Sequence, residues 1–433
     1  GYIKKEERKK ILLLSDDIRA HSGVAHMARE IVTHTSHRYN WVNLGGAVKH
    51  PEAGKRLDLS QDVGTKNNIS DASVMLYPIT GYGDPDTLRR ILEQEKADAI
   101  FIITDPRYWT WLFEMEAEIR KKTPIVYLNI WDNYPAPIYN KTFYESCDAL
   151  LGISKQTVNI NKLVLGDKAE GKLIEYVPHG VDPEIFRPLG VEEVDKAYVD
   201  FETRMKQDKD INFTVLFNSR NIRRKQIPDT ILAFKHFVDT LPKEDKKKAM
   251  LLLHTPQVDG NGTDLNAIVE LLTPPEQDYN VHFTGGQFSP EEMNYLYNIA
   301  DATILLSSNE GWGLALTESL LSGTPFIANV TGGMQDQMRF TDSKSEWFTP
   351  DAKVPSNHNK TYTAHGEWAF PVYPATKSIQ GSPVTPYIWD DRCTPEDAAE
   401  QLKELYTLSP EQRVEKGRKG LEWATGREAG EYR

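Results

Sequence analysis

Cysteine is almost missing from this chain: Cys147 and Cys393 are the only two among 433 residues. That excludes a disulfide framework, and their separation fits no metal-ligand or redox motif, so buried or free thiols are expected. Long hydrophobic runs are also missing; no stretch approaches the ~20 apolar residues of a bilayer-spanning helix. Positive charge is in deficit, with 51 Lys and Arg against 63 Asp and Glu and a net charge of −12. Broad electrostatic attachment to nucleic acid or anionic lipid is thereby disfavoured, and the dense basic clusters are local, at Arg220 to Lys225 and Lys243 to Lys248. The charged opening from Gly1 to Lys10 lacks an apolar h-region, so a secretory signal is not expected and a cytoplasmic location is. Neither an internal repeat nor a low-complexity tract is visible.

What is present is the composition of a globular protein, 39% hydrophobic and 26% charged, in a chain long enough for two domains. Short apolar runs bounded by turn residues recur at 10–15, 41–44, 74–77, 99–103, 125–128, 149–153, 213–218, 249–254, 280–284, 302–306 and 326–328. Between and after them lie helical patterns, among them 25–35, 86–96, 291–300, 395–408 and 410–424. This alternation predicts an α/β protein with parallel, doubly wound sheets. Residues 191–211 are charged and poor in strand signals, which predicts a linker between an N-terminal domain, 1–190, and a second domain, 212–410. Residues 411–433 are expected to form a closing helix that packs back toward the first domain. Within the second domain, 339–392 is rich in Pro, Tyr and Trp and shows little periodicity. It is expected to be a long insertion that serves acceptor recognition or a subunit contact.

The stretch from Ser307 to Pro325 is the most informative one. It follows a buried strand and places Gly311 and Gly313 on either side of Trp312, just before Leu314, Leu316, Leu320 and Leu321 at helical spacing. In such a strand–turn–helix unit, amide N–H groups and the positive end of the helix dipole favour a phosphate. Glu310 lies on the loop and Glu318 on the helix with seven residues between them, so both carboxylates can accept hydrogen bonds from a hydroxyl-rich ligand. The spacing alone fits equally well a helix whose acidic residues cap its start and face water.

The pair Glu310 and Glu318, followed by Ser-Gly-Thr-Pro-Phe-Ile-Ala and Gly332-Gly333, resembles the donor-site signature of retaining glycosyltransferases of the GT-B fold, the family 4 type (glycosyl transferases group 1). The resemblance implies two Rossmann-like domains facing a central cleft. It implies that Glu310 contacts the transferred sugar, that Glu318 holds the nucleotide ribose, and that Gly311, Trp312, Gly313 and Leu314 line the anion pocket. After the strand 213–218, Arg220 and Lys225 match the family's Arg and Lys five positions apart, which hold the diphosphate. An Arg fork and a Lys point charge suit that task, and a basic turn at a helix start is unfavourable unless an anion sits there.

Weaker matches follow. Gly23 stands in the turn after the first strand, with Ser22 where glycine is usual; a plain αβ connection explains it equally well. Asp132 follows Trp131, where the family has His-Asp, and packing of Trp131 and Tyr134 under the loop remains an alternative. His179 replaces Asn in the Pro-Asn-Gly-Val-Asp motif, with an ordinary surface histidine as the bland reading. Gly285 lies in the loop expected beside the nucleotide base. The resemblance further implies transfer of a sugar from a nucleoside diphosphate sugar to a hydroxyl acceptor (glycan, lipid-linked or small molecule), with no bound cofactor and no metal. A hydroxylated DNA base as acceptor, a sugar-nucleotide epimerase and a non-catalytic binding homologue stay open as alternatives.

Overall fold

In a computed structural model, which describes residues 1–46, 52–103 and 105–432, the apolar runs become the strands of two separate sheets. The chain divides into two units. Unit 1 comprises Gly1–Trp131, Ala136–Ile153 and Ile160–Val177; unit 2 comprises Asp132–Pro135, Ser154–Asn159 and Pro178–Arg433.

Unit 1 is built on β1 (Lys9–Asp16), β2 (Tyr39–Gly46), β3 (Leu57–Asp58), β4 (Val74–Pro78), β5 (Ala99–Ile103), β6 (Ile125–Asn129), β7 (Ala149–Gly152) and β8 (Leu173–Tyr176). Their order in the sheet is β3-β4-β2-β1-β5-β6-β7-β8, and every pairing is parallel except β3 with β4. Leu12, Leu13 and Leu14 of β1 are completely buried, as expected where helices cover both faces of a sheet. Strand order reverses between β1 and β5, which makes their carboxyl ends the switch point of this sheet.

Unit 2 holds β9 (Phe213–Asn218), β10 (Ala249–His254), β11 (Val281–Phe283), β12 (Ala302–Leu305), β13 (Phe326–Asn329) and β14 (Ala369–Val372). They pair in parallel in the order β11-β10-β9-β12-β13-β14. This is the Rossmann order, and its switch point lies between the carboxyl ends of β9 and β12. An antiparallel hairpin, β15 (Thr376–Gln380) with β16 (Ile388–Arg392), completes the unit.

Two segments differ from the sequence expectation. The stretch read as a linker contains the helix Lys196–Met205, whose N-cap Asp195 accepts from the Tyr198 amide. Tyr198, Phe201 and Met205 bury themselves against Tyr295 and Leu296; three apolar residues at helical spacing suffice when charges cover the other face. The stretch 339–392 supplies β14 and the hairpin, so it is part of the fold and not an insertion upon it. The β14 sequence Ala-Phe-Pro-Val is short and carries a proline, which suits an edge strand and gives little periodic signal. The helix Pro410–Ala424 packs within unit 2 on the helix Leu314–Leu321, and its Gly417 lies so near the chain that a Cβ there would come within 1.9 Å of the Gly323 carbonyl oxygen. Both cysteines are buried free thiols. Among the described residues no helix is long and apolar enough to cross a membrane.

Candidate functional site

The loops that leave β9 and β12 meet at the switch point of unit 2. After β9 the chain makes a 3-10 turn, Arg223–Lys225, and leaves it through Gln226 at φ 53°. After β12 it runs through Ser307, Ser308, Asn309 and Glu310. The two loops are laced together: the Ser308 amide donates to the Arg224 carbonyl at 2.9 Å, and Arg224 Nη1 donates to the Asn309 carbonyl at 2.9 Å.

Glu310, 4% exposed, is the centre of this arrangement. Lys225 Nζ donates to its Oε1, Arg224 Nη1 lies 3.2 Å from the same oxygen, and Ser307 Oγ donates to it at 2.9 Å. Burial opposes ionisation of this carboxyl, but the charges of Lys225 and Arg224 outweigh it and hold the group at about 2. The loop after β13 closes the arrangement from behind. The Gly333 amide donates to the Glu310 carbonyl at 3.1 Å. Gly332 has φ 53°, and a Cβ there would lie 1.8 Å from the Glu310 carbonyl oxygen.

Gly313, at φ 90°, turns the chain into the helix Leu314–Leu321. Between Gly311 and Gly313, Trp312 points inward: it is 4% exposed, its Nε1 donates to Thr317 Oγ1 at 2.7 Å, and its ring packs edge-on against Tyr432. Its side chain anchors the turn, so any contact of Trp312 with a ligand is through its main chain. Glu318, on the helix, hydrogen-bonds with the Tyr297 hydroxyl, which in turn accepts from Asn218 Nδ2 at 2.8 Å. Burial pushes the Glu318 carboxyl up to about 8.

Asp132 belongs to the short segment of the first half of the chain that joins unit 2. Its carboxyl is raised by burial and by the charge of Glu310, against the pull of Arg224 and Lys225. Arg220 is exposed, and its charge is felt at Lys225. Glu310, Lys225, Asp132 and Arg220 thus form one electrostatic group. His179 has Nδ1 2.7 Å from the Gly180 carbonyl oxygen. Gly285 is exposed at φ 70° beyond β11. Gly23, in unit 1, opens the helix Gly23–Thr35, where Ser22 accepts from the Ala25 amide and donates to Asp16 Oδ2 at 2.5 Å.

Arg224 is the residue that spacing alone did not single out. Its place in the tandem Arg223-Arg224-Lys225 was a signal, because consecutive residues of a tight turn fan out and a basic triplet has more than one way to reach the same anion.

Solved structures share this architecture. A sucrose-phosphate synthase from Thermosynechococcus elongatus superposes with a TM-score of 0.62 over 96% of this chain and 94% of that one, at 15% identity. Anabaena HepE, crystallised with UDP and glucose, gives 0.63 over 96% and 95%, at 13% identity. The fold is therefore that of the GT-B glycosyltransferases. Residues 200–350, which carry the cluster around Glu310, match the family described as Glycosyl transferases group 1. Among curated relatives, an alpha-monoglucosyldiacylglycerol synthase of Streptococcus pneumoniae is 38% identical over 116 residues, 27% of this chain and 24% of that enzyme. The chain spans less than two thirds of the length of the curated relatives it matches.

Proposed function

We propose that the protein transfers a sugar, with retention of anomeric configuration, from a nucleoside diphosphate sugar to a hydroxyl acceptor. The observation that carries this reading is the buried Glu310 carboxylate held between Lys225 and Arg224 at the switch point. Two cations and one anion leave a positive excess for a diphosphate, and the exposed Arg220 adds to it. Lys225, Arg220 and Arg224 offset the charge that grows on the leaving diphosphate without a bound metal, while Glu310 orients the sugar. The C1–O bond to phosphate breaks, a bond from the acceptor oxygen to C1 forms on the same face, and the acceptor proton passes to the departing phosphate. Asp132 lies beside Glu310 as the group that aligns the acceptor or the sugar.

UDP-glucose is the first donor to test, since a protein of the same fold was crystallised with UDP and glucose. Wild type is expected to gain thermal stability with UDP-glucose and to hydrolyse it slowly, and Lys225→Ala to lower that turnover by about 10²–10³-fold. If the wild type responds to no UDP-, GDP-, ADP- or dTDP-sugar in calorimetry or thermal shift, this reading fails.

Glu318 makes a pH-dependent prediction. Its carboxyl sits at about 8 in the folded protein against 4.5 in an unfolded chain, so between those values the unfolded state has released a proton that the folded state keeps. Its contribution to stability therefore falls as pH rises from 4.5 to 8. Glu318→Gln is expected to melt with wild type near pH 4 and a few degrees higher near pH 8. We further propose that ribose hydroxyls donate to the Glu318 carboxylate, so that nucleotide binding at pH 7 releases a proton. Calorimetry in two buffers of different ionisation enthalpy reads this directly, and equal heats in both would remove Glu318 from the ribose site.

A further inference from the structure

Asp391 lies outside every motif considered so far, yet three loops converge on it. It belongs to β16 and is 1% exposed. Its Oδ2 accepts from Asn133 Nδ2 at 3.0 Å and from Thr331 Oγ1 at 2.7 Å, and its Oδ1 accepts from Lys377 Nζ at 3.0 Å. Its amide donates to the Ser308 carbonyl at 3.1 Å, and its carbonyl accepts from Asn329 Nδ2 at 2.9 Å. The neighbouring Trp389 repeats the pattern, with its carbonyl accepting from both Asn133 Nδ2 and Asn309 Nδ2 at 3.0 Å and its amide donating to the Tyr134 carbonyl at 2.7 Å.

Each loop tied down in this way carries one part of the candidate site. Asn133 follows Asp132, Ser308 and Asn309 precede Glu310, and Thr331 precedes Gly332. We infer that Asp391 is a positioning residue of the sugar-binding side of this site: its buried carboxylate sets the mutual register of the Asp132 and Gly332 loops, and its main chain ties both to the loop that leads to Glu310. The inference rests on the proposed transferase reading for its consequence, since Glu310 is useful only where it meets the sugar. The physical case does not depend on that reading. A carboxylate with the Lys377 cation and two neutral donors is fully satisfied only while the Asn133 and Thr331 loops are both in place against the hairpin, so their positions are coupled through it. The nucleotide-binding groups proposed above, Arg220, Lys225 and Glu318, lie on other segments, which separates two readouts.

The test compares wild type with Asp391→Asn and with the charge-balanced Lys377→Met/Asp391→Asn, which also removes the half-buried ammonium that loses its carboxylate partner. Hydrogen exchange of the segments 132–135 and 329–333, which the carboxylate holds directly, is expected to accelerate at least tenfold in both variants. UDP-glucose turnover is expected to fall about 10²-fold while UDP affinity stays within threefold, as misplacement near 1 Å predicts. A purely structural ion pair would lower the melting temperature of the single variant, recover in the double variant, and leave turnover intact; that result overturns the inference. Exchange that quickens only within the hairpin 376–392, or nowhere, overturns it as well, and does so even if the wild type proves to use no nucleotide sugar.

Discussion

If the proposed transfer holds, Glu310→Gln is expected to lower nucleotide-sugar turnover by about 10³-fold or more and yet to bind free UDP at least as tightly as wild type. The first half follows from charge. The carboxylate is held ionised at about 2, and an amide of the same shape cannot offer two anionic acceptors to sugar hydroxyls or stabilise positive charge at C1 in the transition state. The second half follows from competition. Lys225 and Arg224 spend their charge on Glu310 Oε1 in the free protein, and neutralising that partner leaves both for the diphosphate. The freed cations also cost stability, because Lys225 is buried and a buried charge without its counterion is unfavourable by about 3–5 kcal/mol before relaxation. The variant is therefore expected to melt several degrees below wild type and to recover most of that with UDP. Steady-state turnover beside UDP calorimetry decides the matter: activity within threefold of wild type, or UDP affinity lost in step with activity, rules out this role.

Gly332→Ala is expected to have the largest effect on stability. The residue sits at φ 53°, and an added Cβ would lie 1.8 Å from the Glu310 carbonyl oxygen. No side-chain rotation relieves contact with backbone, so one of the two loops must move, at a cost on the order of 3–5 kcal/mol with turnover lost alongside. Gly166→Ala is the matched control: its φ of 57° is similar, but no atom lies within 4 Å of its Cβ position. There only the left-handed backbone penalty of about 1–2 kcal/mol applies. Equal melting temperatures for the two variants would show that the Gly332 contact is not tight.

Much of the fold was legible because its signals are local. The runs at 213–218 and 249–254 coincide with β9 and β10, and the helix at 410–424 begins and ends where its pattern does. Buried parallel strands and amphipathic helices announce themselves through residues only a few positions apart. The helix Lys196–Met205 was missed for a related reason: its three apolar anchors stand among charges, and their value appears only once Tyr295 and Leu296 are beside them. The strand β14 was missed because four residues with a proline have too little pattern to declare an edge.

At the candidate site the same division holds. Glu310, Glu318, Arg220, Lys225 and the glycines of the turn were proposed from residue type and spacing together with the resemblance to the GT-B donor-site signature. That Trp312 turns inward, that Arg224 joins Lys225 on one carboxylate oxygen, and that Glu318 is pushed up to about 8 depend on what surrounds them after folding. Asp391 shows the limit most plainly, since its partner Asn133 is 258 residues away along the chain. Composition and periodicity determine which segments become strands and helices, because those choices are made by near neighbours. Which buried charge meets which is decided by strand order and loop packing, because a hydrogen bond acts over about 3 Å of space whatever the distance in sequence.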